Sequence, residues 1–475
     1  MNLKIALVAV VIVLVFSVPA CGKSTVATPT TQPPVVDTPP VVDTPPVIDT
    51  PPVVDTPPVV DIPVTPISDL VIASTNAFVD SHGTYRVVGE VDNNSSTVLN
   101  SIELTIEIKD ASGYSLLKDD NSNITPNAII YPMLYTLAPG EASPFEYSYD
   151  TTNGTPASFN VTITGQATDE ANRATLKEEN VQIVDDGSGW YYLTGALVNT
   201  GSQWAHINSL AGAVLDDSNN VLSAAWTGTY ITELAPAGDA TGRDRTPFEI
   251  SFPIPVGSTK WQLYWDADGT DSVTDYPMEV KVTNYYFDQD GSARLVGWIT
   301  NNSTQTLDNS QVVGGLYAAD GTVLDAGNSI VPVPVKPGAA APFSISSFGR
   351  SNYNPDQAAL VRTSSAQFDT WFTSPPSFEF VDLTASGETV QKDGATWTLD
   401  GSVTNTSGKN LSGATVVVMV MDAQNKLVAM EYTSINPTGD AIAAGETSTY
   451  SASVYLDPAA DATGFTTTTL VVGDV

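Results

Sequence analysis

The feature that most constrains this chain is a strand-like segment that occurs four times, with a glycine in its middle and an asparagine four residues later. The four segments are TYRVVGEVDNN (84–94), WYYLTGALVNT (190–200), SARLVGWITNN (292–302) and TWTLDGSVTNT (396–406). Their glycines are Gly89, Gly195, Gly297 and Gly401, which recur at intervals of 102 to 106 residues. A period of this size predicts four tandem copies of one domain rather than a solenoid of short repeats.

Apolar and mixed residues alternate around each glycine. The positions two residues before and two residues after it are apolar in every copy: Val87 and Val91, Leu193 and Leu197, Leu295 and Ile299, Leu399 and Val403. This pattern predicts a β-strand with one face in a core and the other towards water. Because glycine weakens a strand, we expect a bulky side chain from an opposing sheet to fill the space above it.

The elements that flank each glycine strand also recur. A turn precedes it, a strand that ends near an aspartate follows it, and a Pro-Gly step or its equivalent comes next. Three copies then have a Pro-Phe step: Pro144-Phe145, Pro247-Phe248 and Pro342-Phe343. Short strands with frequent turns in about 100 residues predict an immunoglobulin-like β-sandwich. The chain has one cysteine, so packing alone must hold each sandwich.

This order of elements resembles the FxLyD-type extracellular domains of prokaryotic lipoproteins. The first copy fits best, through VGEVDNNS (88–95), IKD (108–110) and LAPG (137–140). The third copy fits through Leu316-Tyr317 and Asp320-Gly321, whereas the second and fourth fit more loosely. The resemblance implies β-sandwiches on a cell surface and implies no activity.

The sequence therefore predicts an all-β chain of four tandem immunoglobulin-like sandwiches after a signal peptide and a disordered Pro-rich linker. The predicted boundaries are 1–20 for the signal peptide, 21–67 for the linker, and 68–168, 179–273, 275–374 and 377–475 for the sandwiches. The charged connector between the first two sandwiches, Asp169–Asn180, is expected to form a single helical turn.

The N-terminal segment has the composition of a secretory signal. An apolar run from Ile5 to Phe16 follows Lys4, and Ala20 precedes Cys21, the only cysteine. This arrangement predicts lipidation of Cys21 and an outward-facing, lipid-anchored location in a bacterial cell envelope. The alternative is an ordinary signal peptide with an incidental cysteine. The apolar run is shorter than the roughly 20 residues that a membrane-spanning helix needs.

A low-complexity stretch follows, from Gly22 to Pro66. It contains five Pro-Pro hexapeptides, one QPPVVD and four of the form TPPVVD or TPPVID. Paired prolines favour the extended polyproline II conformation. The stretch is interpreted as a stiff spacer, with a disordered linker and a proline-motif ligand for a partner as alternatives.

The formal net charge is −35, from 53 acidic and 18 basic residues. Such a charge excludes nucleic acid as a partner because phosphates are repelled. It is compatible with solvated acidic surfaces or with binding of cations and basic surfaces.

No cofactor is expected, with calcium as the one alternative. The segment 266–271, DADGTD, has calcium-loop character through Asp266, Asp268 and Asp271, since hard cations prefer several carboxylate oxygens around a tight turn. A plain turn between the second and third domains is the competing interpretation.

Five of the eight tryptophans lie in the second domain. Trp261 and Trp265 alternate with Leu263 on one strand face, as core residues do. Exposed aromatics would instead form a ligand platform, for which the candidates are Trp190, Trp204 and Trp226.

The sequence contains no catalytic motif, so a hydrolase is the least favoured of three hypotheses. The first is a non-enzymatic, lipid-anchored spacer or adhesion module with an unidentified envelope protein or glycan as partner. The second is a carbohydrate- or solute-binding lipoprotein that uses the Trp-rich second domain.

Overall fold

The computed structural model describes residues 69–119, 121–169, 172–185, 190–227, 231–253, 260–350, 353–370, 373–435 and 441–475. The predicted signal peptide, Cys21 and the Pro-rich linker lie outside the described residues. In the described part, no helix is both long enough and apolar enough to cross a membrane.

Two groups of seven strands make up the first half. The first group is β1 (Leu70–Val79), β2 (Thr84–Asn93), β3 (Val98–Lys109), β4 (Ala128–Ile130), β5 (Thr136–Leu137), β6 (Ala142–Asp150) and β7 (Ser158–Asp169), with a 3-10 turn at Thr151–Asn153. The second group is β8 (Leu176–Asp185), β9 (Trp190–Asn199), β10 (Trp204–Leu215), β11 (Val221–Thr227), β12 (Glu233–Leu234), β13 (Arg245–Pro253) and β14 (Lys260–Thr270).

Two further groups make up the second half. The third is β15 (Met278–Phe287), β16 (Ala293–Asn301), β17 (Gln311–Tyr317), β18 (Val323–Ile330), β19 (Ala340–Ile345), β20 (Ser347–Phe348), the short helix α1 (Pro355–Ala358) and β21 (Thr363–Asp369). The fourth is β22 (Phe380–Leu383), β23 (Ala385–Asp393), β24 (Thr396–Thr404), β25 (Gly413–Met421), β26 (Leu427–Ile435), β27 (Thr447–Tyr455) and β28 (Thr466–Asp474).

Each group forms one antiparallel sheet of three strands and one of four. The three-stranded sheets are β1-β2-β6, β8-β9-β13, β15-β16-β19 and β23-β24-β27. The four-stranded sheets are β4-β3-β5 with β7 beside β3, β11-β10-β12 with β14 beside β10, β20-β18-β17-β21, and β22-β28-β25-β26. The predicted fold class, tandem immunoglobulin-like β-sandwiches, is confirmed.

The glycine in each repeat makes room for an aromatic ring. In the first copy Gly89 pairs directly with Phe145 of β6, and a Cβ at Gly89 would lie 2.4 Å from the Phe145 Cζ. The other three glycines pair in the same way with Phe248, Phe343 and Tyr450. The prediction of a bulky side chain is right, but its expected source is wrong. The ring comes from the neighbouring strand of the same sheet and not from the opposing sheet, and it is the Phe of the Pro-Phe step in three copies.

The asparagine four residues after the glycine holds the turn that follows the strand. Asn93 is fully buried, and its Nδ2 donates to the carbonyls of Thr97 and Leu137, each at 2.8 Å. Its Oδ1 accepts the backbone N–H of Ser95 at 3.0 Å. Asn199, Asn301 and Asn405 make the equivalent bonds. Because buried polar groups need partners, this one amide holds the end of the glycine strand to the following turn and to the segment just before the Pro-Gly step or its equivalent.

The connector between the first two sandwiches differs from its prediction. Strand β8 begins at Leu176, inside the segment 169–180 for which a helical turn was expected. The backbone N–H of Ala174 already donates to the carbonyl of Ala267 in β14. The helical prediction is wrong here because pairing with the second sandwich outweighs the helix propensity of a short charged segment.

The four sandwiches belong to one compact unit, and consecutive sandwiches pack in the same way. Strand β11 packs on β1, β2 and β6, strand β18 on β9 and β13, and strand β26 on β15, β16 and β19. The residue just before each repeat glycine points out of its own sandwich. In the first three copies it is fully buried, as Val88, Thr194 and Val296. The prediction that this face meets water is therefore wrong for the first three copies, because the next sandwich takes the place of solvent.

The fourth copy differs at this face. It has Asp400 where the first and third have valine, and the side chain is partly exposed. In the adjacent strand β23, all residues but the first are exposed. Only in this sandwich does the sequence pattern of one apolar and one solvated face hold as predicted.

Candidate binding cleft between the first two sandwiches

A cleft of about 1040 Å³ opens where the first sandwich meets the second. The first sandwich contributes the early part of β3 and the segment between β4 and β5. The second contributes the last residues of β11 and the edge formed by Trp190 of β9 and Pro253 of β13. Arg86 of β2 and Glu146 of β6 also line the cleft.

Aromatic side chains from both sandwiches line this cleft. Tyr131 and Tyr135 on the first sandwich are 60% and 68% exposed, and Trp226 on the second is 65% exposed. Trp190 is partly buried, and its ring lies 5.9 Å from that of His82. Large aromatic rings are normally covered in a folded protein, so a group of exposed rings in a concave site indicates a ligand surface.

The segment that carries Tyr131 and Tyr135 is fixed from both sides. Within the first sandwich, the backbone N–H of Leu134 donates to Ser143 Oγ at 2.9 Å. The neighbouring sandwich supplies Ser209, whose hydroxyl donates to the carbonyl of Met133. Buried Leu134 anchors the segment in the core while the two tyrosines project outward. The tyrosines are therefore held in place before any ligand arrives.

Asp266 is one of the residues that joins the two sandwiches. It is fully buried, it accepts the backbone N–H of Thr136 at 2.9 Å, and it pairs with Arg173. Arg173 also reaches Glu141 of the first sandwich at 3.0 Å. An uncompensated carboxylate could not be buried here, so this network is what allows Asp266 to lie between the domains.

The proposed calcium residues do not form a loop. Asp266 and Asp268 lie within strand β14, and Asp271 follows its end. The side chain of Asn208 donates to Asp268 at 2.9 Å, and that of Gln203 donates to Asp271 at 2.7 Å. The interpretation of 266–271 as one turn is wrong because Ala267, Asp268 and Gly269 continue the ladder with β10. Among the described residues, no group of three His, Cys, Asp or Glu side chains could hold a metal ion.

Arg86 forms the polar part of the cleft floor. Its Nε donates to Asp80 at 2.8 Å, and its Nη1 donates to Glu146. Burial raises the pKa of Glu146, and the positive charge of Arg86 offsets part of that rise. The guanidinium is thus held in one orientation by carboxylates on two sides.

The predicted tryptophan platform is only partly assembled. Trp190 and Trp226 both line the cleft, but Trp204 does not, and Arg243 lies 5.1 Å above its ring. Trp261 and Trp265 are partly buried against the second core, as expected for core residues. The sequence interpretation missed Tyr131 and Tyr135, for which the available signal was two aromatics around a proline in YPMLY (131–135).

The junction between the second and third sandwiches buries a second polar group. Glu249 of β13 and Asp325 of β18 are 4% and 0% exposed. Burial, together with their mutual repulsion, raises the pKa of Glu249 well above its ordinary value, and burial also raises the pKa of Asp325. Tyr353 donates its hydroxyl to Asp325, and Arg350 lies 5.6 Å above the ring of Tyr192. These groups tie two domains together.

The two histidines have neighbours that the sequence did not indicate. His206 Nδ1 lies 2.8 Å from Glu233 Oε1, and this contact raises the pKa of His206. His82 lies in the turn between β1 and β2, 3.3 Å from the Ser81 hydroxyl.

Comparison with known proteins places few limits on this chain. No protein-family model matches it, and no curated protein matches it. Among solved structures, the native conformation of E. coli α2-macroglobulin shares 10% identity at a TM-score of 0.12, with 85% of this chain and 28% of that chain covered. Salmonella α2-macroglobulin reacted with methylamine shares 9% identity at a TM-score of 0.11, with 85% and 29% covered. Likenesses this weak carry no argument about fold or function.

Proposed function

We propose that this chain is a non-enzymatic, lipid-anchored surface protein of a bacterial envelope, whose four sandwiches act together as a stiff spacer and interaction module. The observation that supports this function best is the repeated junction. In each of the three junctions, one strand of a sandwich packs on the outer sheet face of the sandwich before it. A chain of separate domains on flexible linkers would leave those faces to water.

The buried charges support a mechanical role for the junctions. Arg173, which pairs with buried Asp266, also pairs with Glu141 of the first sandwich. Arg294 of the third pairs with Glu431 of the fourth, so ion pairs join consecutive sandwiches at these two junctions. Breaking such a pair leaves a charge without compensation, so bending at a junction is opposed by electrostatics as well as by lost apolar contact. In this protein the buried ionisable groups between sandwiches serve to join domains.

The sequence supports the location. A single cysteine after a short apolar run predicts a lipid anchor at Cys21, and the Pro-rich stretch after it predicts a spacer between the membrane and the sandwiches. A partner in the envelope or on another surface would then meet the sandwiches away from the membrane.

Two measurements test this function. Pulsed dipolar spectroscopy on a Cys21→Ser chain, labelled at Ser112→Cys and Thr389→Cys, should give one narrow distance distribution. A broad distribution over several nanometres would rule out a stiff module. In cells, wild-type chain should stay with membranes after a carbonate wash and the Cys21→Ser variant should be released. Retention of that variant would show that the anchor lies elsewhere.

A further inference from the structure

We propose that the cleft between the first two sandwiches is a binding site for a short neutral oligosaccharide. This site goes beyond the spacer function, and neither depends on the other. The cleft volume of about 1040 Å³ lies just above the range for small-molecule sites, which is roughly 300–1,000 Å³. It can therefore hold more than one sugar ring.

The aromatic walls provide the apolar part of sugar recognition. A pyranose ring presents C–H groups on its faces, and these pack against flat aromatic rings with little loss of side-chain entropy. Trp226 faces the cleft from one sandwich, and Tyr131 and Tyr135 face it from the other. A linear glycan that lies between them would cover rings that are now 60% to 68% exposed.

The remaining lining supplies hydrogen-bonding groups for sugar hydroxyls. Arg86 and Glu146 present a fixed donor and a fixed acceptor, because each holds the other in place. Asn208 and Ser251 add an amide and a hydroxyl from the second sandwich. A small number of placed polar groups among aromatic walls is the usual construction of a selective small-molecule site.

The charges of the cleft favour a neutral ligand over an acidic one. The charged residues that line it are Arg86, Glu103 and Glu146, and Arg86 is already paired with Asp80 as well as Glu146. The whole chain carries a formal charge of −35. Phosphorylated or uronic-acid ligands would enter a negative potential and would find no uncommitted cation among these lining residues.

A proline-rich peptide is the main competing ligand, because aromatic grooves also bind polyproline helices. The chain itself contains five Pro-Pro hexapeptides. Each of them carries an aspartate, which the carboxylates of the cleft would repel. The same charge argument that disfavours acidic sugars therefore disfavours this segment as the occupant.

The test uses the full mature chain with Cys21→Ser on a printed array of neutral and acidic glycans. Calorimetric titration of the best neutral hit, of tetragalacturonate and of the peptide TPPVVDTPPVVD follows. We expect saturable binding of at least one neutral glycan and none of the two acidic probes. Trp226→Ala and Tyr135→Ala should each weaken that binding by about tenfold or more.

The matched control is Tyr432→Ala. Tyr432 occupies the place of Trp226 in the fourth sandwich and is 52% exposed, so its removal should leave binding unchanged. Circular dichroism of every variant checks that the fold is intact. The proposal is overturned if no neutral glycan binds, if Trp226→Ala and Tyr432→Ala bind equally well, or if an acidic probe binds better than every neutral one. None of these results would bear on the stiffness of the four sandwiches.

Discussion

The first and third junctions of this molecule have an arginine at the same position of the repeat, but that arginine has different partners in the two. Arg86 and Arg294 both lie three residues before the repeat glycine. Each donates through Nε to the aspartate of the preceding turn, Arg86 to Asp80 at 2.8 Å and Arg294 to Asp288 at 3.0 Å. At the third junction the arginine pairs with the next sandwich, whereas at the first it pairs within its own sandwich and lines the cleft.

Two side chains of the next sandwich account for this difference. At the third junction Glu431 pairs with Arg294 at 2.6 Å, and Arg294 lies 5.1 Å from the centre of the Tyr455 ring. Counted along matching strands, the second sandwich has Ala225 in place of Glu431 and Pro253 in place of Tyr455. The smaller side chains do not reach Arg86, which pairs instead with Glu146 of its own sheet. The same arginine position thus gives an ion pair across the junction in one case and a residue of the cleft lining in the other.

The largest effect is expected from placing a charge inside the third junction. Val296 is fully buried, and its equivalent in the fourth sandwich is the partly exposed Asp400. Val296→Asp therefore places the same residue type at a buried position. An unpaired buried charge should lower the free energy of unfolding by about 3–5 kcal/mol. Chemical denaturation measures this loss.

The matched control for that change is Asp400→Asn, which should alter stability by less than about 0.5 kcal/mol because the site is partly exposed. Equal effects of the two changes would mean that the outer face of the third sheet is not covered by the fourth sandwich.

Replacing either arginine should have a smaller effect on stability, and its effect on hydrogen exchange should differ between the first and third junctions. Arg294→Ala removes a charged hydrogen bond across the junction, whereas Arg86→Ala removes one within the first sandwich, and each loss should cost about 1.5–3 kcal/mol. Hydrogen exchange should therefore become faster in β26 for Arg294→Ala, because that strand loses an ion pair to the third sandwich. For Arg86→Ala, the corresponding strand β11 should keep its exchange rate. Faster exchange of β11 would contradict the difference between the junctions.

The last effect concerns the second junction and is a dependence of stability on pH rather than a single loss. The pKa values of Glu249 and Asp325 are raised in the folded chain, so the folded state binds protons that the unfolded state releases. The contribution of these groups is complete below the ordinary carboxyl pKa and is lost as the pH rises through the raised values. The loss can reach at most about 1.4 kcal/mol per pH unit for each proton.

Thermal unfolding between about pH 5 and pH 10 checks this dependence. Wild-type chain should lose stability towards alkaline pH, and Glu249→Gln, which stays neutral, should show a flatter profile. A wild-type profile that rises relative to that of Glu249→Gln would show that the buried pair is ionised when folded.

The predictions from sequence succeeded where local periodicity carries the information. Alternation around Gly89 and its equivalents indicated which residues enter the core, and the turn residues indicated where strands end. The source of the ring above the glycine was missed, since alternation does not reveal which strand lies beside another. The Pro-Phe step was visible in the sequence, but its pairing with the glycine became apparent only from the register.

The candidate site was less predictable than the fold. Composition drew attention to the tryptophans of the second domain, and two of the three candidates do line the cleft. Tyr131 and Tyr135 belong to the first domain, so no inspection of the second domain alone could find them. The interpretation of 266–271 as a calcium loop followed from composition, but the strand pairing of Asp266 and Asp268 overrides it.

The sequence by itself determined the four copies, their all-β character and the core face of each glycine strand, because these depend on spacings within one segment of chain. Which outer faces are covered was decided by the tertiary structure. The first and third copies have Val88 and Val296 where the fourth has Asp400, and these valines indicated that the outer face is covered. A valine on an outer face does not indicate which segment packs against it. The cleft was decided in the same way. Arg86 lines it together with Ala225 and Pro253, which give its guanidinium no partner from the second sandwich. Strand alternation specifies the faces of a strand but not what packs against them.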